Sequence, residues 1–95
     1  MGNIKASEEF AASCKNMVEY ANPREGDQVV IVMDDLTYNE PLANTLRLAC
    51  ESAGAGEVFI LRTKRPVVQW EEPGKPFVEA MRASDVLFNF SGYRL

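Results

Sequence analysis

Three apolar runs constrain this chain more than anything else in it: Val29-Val30-Ile31-Val32-Met33, Val58-Phe59-Ile60-Leu61 and Val86-Leu87-Phe88, each preceded by a helix-like stretch. Val29, Val58 and Val86 stand 29 and 28 residues apart, the length of one strand, loop, helix, loop unit in a right-handed crossover fold. Runs this continuous suit strands covered on both faces, as parallel strands are. The expected order is therefore α-β-α-β-α-β, with the sequence stopping just after the third strand. A parallel sheet begun in this way is expected to be incomplete.

A length of 95 residues suffices for one small domain and not for two. The expectation is a single α/β domain over residues 1–95, a truncated three-layer Rossmann/flavodoxin-like fragment with three parallel strands and three helices. Hydrophobic residues make up 46% and charged residues 25%, the balance of an ordinary globular domain. No apolar run reaches membrane-spanning length. The net charge of -4, with Lys64-Arg65 as the one adjacent basic pair, argues against a nucleic-acid partner, which needs a basic footprint. The polar start, Met1-Gly2-Asn3-Ile4-Lys5, lacks the apolar stretch of a secretory signal. A cytoplasmic location is expected.

The sequence contains no histidine. That removes the commonest zinc or iron ligand and the commonest general base near neutral pH. Cys14 and Cys50 are far apart in sequence and fall on the apolar faces of expected helices, where free cysteine behaves as a small buried hydrophobe.

The first helix is expected from about Ser7, as cap, to Ala21, with Glu8 and Glu9 at its positive end and Phe10, Cys14, Met17 and Val18 at helical spacing. Strand one is expected over 28–33. Helix two starts with Asn39 as cap and Pro41 in the first turn, and pairs Arg47 with Glu51 on its outer side. Strand two covers 57–61. A linker over 64–75, with Pro66, Trp70, Pro73 and Gly74, is long enough to be a lid or contact loop. Pro76 opens helix three, and strand three runs from Val86 to Phe90.

In open α/β sheets ligands bind beyond the carboxyl ends of the strands, so the segments of interest are Asp34-Asp35-Leu36-Thr37, Arg62-Thr63-Lys64 and Ser91-Gly92-Tyr93. In the strand order 2-1-3 the first and third tips flank a crevice; in 3-2-1 no reversal point exists. Adjacent aspartates at a strand tip can ligate magnesium, as in receiver domains, but this chain offers Asn89, Phe90 and Ser91 where a receiver needs its third-strand aspartate. The plainer expectation is that one aspartate caps the following turn and the other is solvated. The turn over 34–39 has no glycine, which excludes dinucleotide and P-loop fingerprints. The Ser91-Gly92 step could offer amides to an anion or be an ordinary turn.

The succession Cys14-Lys15-Asn16-Met17-Val18-Glu19-Tyr20-Ala21, then Arg24-Glu25-Gly26-Asp27-Gln28-Val29-Val30-Ile31-Val32, Glu71-Glu72-Pro73-Gly74-Lys75-Pro76 and Ala80-Met81-Arg82-Ala83-Ser84-Asp85-Val86-Leu87-Phe88-Asn89 resembles the N-terminal α/β domain of the M29-type metalloenzymes. These are thermophilic aminopeptidases and related iron-dependent dihydroxypyridine dioxygenases. The resemblance implies a non-catalytic domain that walls one side of a cleft. The divalent metal (iron, zinc or cobalt) and all catalytic residues would belong to a C-terminal catalytic region outside this sequence, in a parent that is a homo-oligomer. No catalytic, cofactor or metal residue transfers to this chain; Asp34, Asp35, Ser91 and Tyr93 are the expected cleft-facing positions. The rival expectation is a free-standing α/β module that binds or assembles through an exposed sheet edge.

Overall fold

A computed structural model describes the backbone of residues 2–68 and 71–93, with side chains from residue 11 onward. The elements are α1 (Gly2–Ala21), β1 (Gln28–Asp34), α2 (Glu40–Ser52), β2 (Glu57–Thr63), α3 (Lys75–Ala83) and β3 (Val86–Asn89). All strand pairings are parallel and the order is β2-β1-β3. Val29 stands level with Val58 on one side and Val86 on the other, so the spacing seen in the sequence is the register of the sheet. The fold is α/β, with a three-stranded parallel sheet open at both edges.

The central strand explains its own composition. Side chains alternate between sheet faces, and in β1 both faces are covered. Val29, Ile31 and Met33 pack with Cys14 and Val18 of α1 and with Ala43, Leu46 and Cys50 of α2. Val30 and Val32 face the other way, onto Phe77 of α3 and Tyr93. Two helices therefore cover one face and a single short helix the other. Both cysteines are buried and unpaired; burial raises the Cys14 thiol and, with Cys14 and Glu51 nearby, pushes Cys50 up to about 11.

Helix boundaries follow local chemistry. Asn39 caps α2, its Oδ1 accepting from the Leu42 amide at 3.1 Å, with proline in the first turn. Arg47 meets Glu51 at 3.1 Å on the outer side. α1 ends on Asn22 in the left-handed region (φ 49°), whose amide donates to Val18 O at 2.8 Å. Its start differs from the sequence expectation, because the helix begins at Gly2 and Ser7 lies inside it. A serine that can cap does not prevent a helix from continuing through it when the preceding residues, Ile4, Lys5 and Ala6, tolerate helical geometry.

β2 also departs from expectation. It is half-exposed along its length, and Phe59 retains 43% of its surface. The apolar run arises because β2 packs on the α1 and α2 side through Val58 and Ile60, while its opposite face joins the α3 layer through Leu61 and leaves Phe59 open beside Ala80 and Ala83. The linker closes on itself: the Val67 amide donates to Glu71 Oε2 at 2.9 Å and the Glu71 amide to Val68 O at 3.1 Å. Trp70, considered as a rim or packing residue, lies outside the described residues.

Candidate functional site at the strand tips

The order β2-β1-β3 places the reversal point of the sheet between β1 and β3, where open α/β folds form their crevice. Asp34 ends β1 at that point and is only 1% exposed. Its Oδ1 accepts from the amides of Leu36 (2.8 Å) and Thr37 (2.9 Å) and from the Thr37 hydroxyl (3.2 Å), while Thr37 Oγ1 accepts from the Asp34 amide at 2.9 Å. The other oxygen, Oδ2, accepts from the Gly92 amide at 2.7 Å, across 58 residues of sequence. One carboxylate thus folds the turn after β1 and ties it to the turn after β3.

Burial by itself would push the Asp34 acid up, but the amides of Thr37, Gly92 and Leu36 and the Thr37 hydroxyl outweigh it and hold the group below the usual carboxylate range. No buried side-chain polar atom among the described residues lacks a partner. The site is fully satisfied from within. Gly92 allows a close approach here: a Cβ would stand 3.2 Å from Pro66 Cγ and 3.3 Å from Asp34 Oδ2, tight enough that these side chains would have to shift by a few tenths of an ångström.

The remaining tip residues play distinct parts. Asp35 is exposed and meets Arg62 Nε at 3.1 Å, and the same guanidinium lies 4.4 Å above the Tyr38 ring. Ser91 is half-buried, donating through both its amide (2.9 Å) and its hydroxyl (2.6 Å) to Asn89 Oδ1. Asn89 Nδ2 donates in turn to Tyr93 O at 3.1 Å. Tyr93 is 5% exposed, its ring tilted 58° on Phe77 with centroids 5.7 Å apart. Asp34 and the turn over 91–93 are therefore brought together, while Asp35 points toward β2 and Tyr93 belongs to the core.

Thr37 and Asn89 carry more of the site than sequence reasoning assigned to them. The signals were present: an aspartate followed three residues later by threonine is a turn-capping pair, and an asparagine two residues before the serine of a Ser-Gly step folds its own backbone. The Ser91-Gly92 step does offer an amide to an anion, and that anion is the chain's own Asp34.

The metal implied by the sequence resemblance does not fit these residues. The Asp34 carboxylate accepts four hydrogen bonds from Leu36, Thr37 and Gly92, and Asp35 is paired with Arg62; no group of three or more His, Cys, Asp or Glu able to hold a metal ion occurs among the described residues. Nor is any helix among them long and apolar enough to cross a membrane. No family model, curated protein or solved structure matches the chain. What the fold and site define is a class: a Rossmann-like α/β domain whose reversal point is tied shut by an internal carboxylate.

Away from the tips, apolar surface lies open. A groove of about 380 Å³ between β2 and α3 is lined by Val30, Phe59, Leu61, Ala80 and Ala83, with Gln28 and Ser84 at its end. A second depression of about 270 Å³ shares Leu61 and Ala80 and extends it toward Arg62 and Gly74.

Proposed function

We propose that this chain is a non-catalytic scaffold: an α/β domain that walls one side of a cleft and supports catalytic machinery located in other polypeptide. The observation that carries the reading is the Asp34 to Gly92 tie. Where this fold class would place a ligand, the chain has put its own carboxylate, with both oxygens engaged in holding the two turns together. The resemblance to M29-type enzymes supports a metal-dependent aminopeptidase or a ring-cleaving dioxygenase as the parent, with iron, zinc or cobalt held elsewhere. A second reading, a free-standing assembly module, is favoured by the open flank of β2, where Phe59 is exposed beside an apolar groove.

The test is an assay of the purified chain with added iron(II), zinc or cobalt, against aminoacyl anilides and, by oxygen uptake, against dihydroxypyridines. A scaffold turns over neither substrate. Turnover by the chain itself, abolished by chelation, overturns the reading.

A further inference from the structure

Among the described residues, β2 is the longer of the two edge strands of the sheet. Its seven residues, Glu57–Thr63, pair in unbroken register with β1 and present unpaired backbone groups on the other side. It contains no proline, bulge or lysine, and of its two charged residues, Glu57 and Arg62, the second is already paired with Asp35 of its own chain. β3, the other edge, has four residues. Beside the β2 edge on the α3 face, Phe59 and Leu61 line the open groove.

The strand is also charged oppositely at its two ends. Glu57 opens it, whereas Lys64 and Arg65 follow directly after Thr63. All three are exposed and none has an ion-pair partner among the described residues. In an antiparallel pairing of two such strands, each acidic start lies against the other's basic end; a parallel pairing would set like charges together. The strand is therefore complementary to its own reverse.

We propose that two copies of this chain associate through antiparallel pairing of their β2 edges, giving one continuous sheet in the order 3-1-2-2-1-3 about a two-fold axis at Ile60. Opposed residues of an antiparallel pair share a face. In this register Phe59 of each copy stands opposite Leu61 of the second copy on the α3 face, where both border the groove, and Glu57 stands opposite Thr63 of the second copy, beside its Lys64. A two-fold contact of this kind is self-complementary and closed, so it stops at the dimer. The inference does not depend on the scaffold reading: a strictly monomeric chain refutes it and leaves that reading standing.

Sedimentation equilibrium of the full chain across a concentration series tests it. Dimerisation is expected, and Phe59→Lys, which sets a charge in the edge, is expected to abolish it while the circular dichroism spectrum is retained. Glu57→Lys weakens the dimer by about tenfold, since the two-fold axis applies each loss twice, and adding Lys64→Glu to that variant restores it. The charge-swap variants alter exposed positions only, so they decide the matter even where Phe59→Lys fails to fold. A monomer at all concentrations, a dimer indifferent to both changes at Glu57 and Phe59, or charge swaps that fail to compensate would overturn the proposal.

Discussion

At the scale of the residue, Asp34 shows how one side chain can decide what a strand tip is for. Replacing it by asparagine keeps an acceptor for Leu36 and Thr37 but turns an NH₂ toward the Gly92 amide, leaving donor against donor in a buried place. A loss of about 2 kcal/mol in unfolding free energy is expected, within the range for an unsatisfied buried hydrogen-bonding group, and urea denaturation measures it. A change below measurement error would mean that the tie contributes nothing. The sign of the pH effect follows from the depressed acidity of Asp34. Folded Asp34 is a stronger acid than in the unfolded chain, where a carboxyl titrates near about 3.9. Its stabilisation is present above that value and is lost as pH falls through the folded pKa. Asp34→Asn should therefore flatten the acid limb of the stability curve, and an unchanged limb would contradict the assignment. In the sequence the Asp34-Asp35 pair was legible as one capping and one solvated acid. The partner across the sheet was not, because nothing local to Gly92 reveals that β3 lies beside β1.

At the scale of the element, local chemistry was readable wherever a short-range interaction closes it. Asn39 with Pro41 marked the start of α2, and Asn39→Ala should cost about 1 kcal/mol through the lost cap; chemical denaturation that shows no loss would place the Leu42 amide with another partner. The start of α1 was misread because Ser7 is competent to cap and only the preceding backbone decides whether it does. The turn joining α2 to β2 depends on a long-range contact that no local pattern announces. A Cβ at Gly56 would stand 2.5 Å from Gly26 O, so Gly56→Ala must displace backbone rather than a flexible side chain. A destabilisation of about 2 kcal/mol or more is expected, visible as a lowered thermal midpoint, and an unchanged midpoint would show that the two turns do not meet.

At the scale of the whole molecule, the parallel arrangement of the strands was legible from spacing, since units of 28 and 29 residues admit little besides strand-helix crossovers, whereas the order β2-β1-β3 was not. Which faces are covered was not. An apolar run reads the same whether a strand is buried on both sides, like β1, or only partly covered, like β2. That ambiguity hid the β2 flank, which is now the feature that most invites a partner. The buried thiols belong to this scale too, for they report on the α1, α2 and sheet layer as a unit. Because the folded Cys50 thiol is pushed up to about 11, the unfolded state releases its proton first, and stability falls as pH rises above about 8.5. Denaturation at successive alkaline pH values should show this decline, and a Cys50→Ala variant should reduce it; an identical decline in the variant would assign it to other groups.

The account turns on the strand tips being held shut from within, and the carbon-13 titration of the Asp34 carboxyl, run with and without zinc or magnesium, tests that most directly. A midpoint below the ordinary carboxylate range and unmoved by either metal is expected. A midpoint at or above that range, or one that shifts when metal is added, would mean that the carboxylate faces outward as a ligand, and the scaffold account would fall.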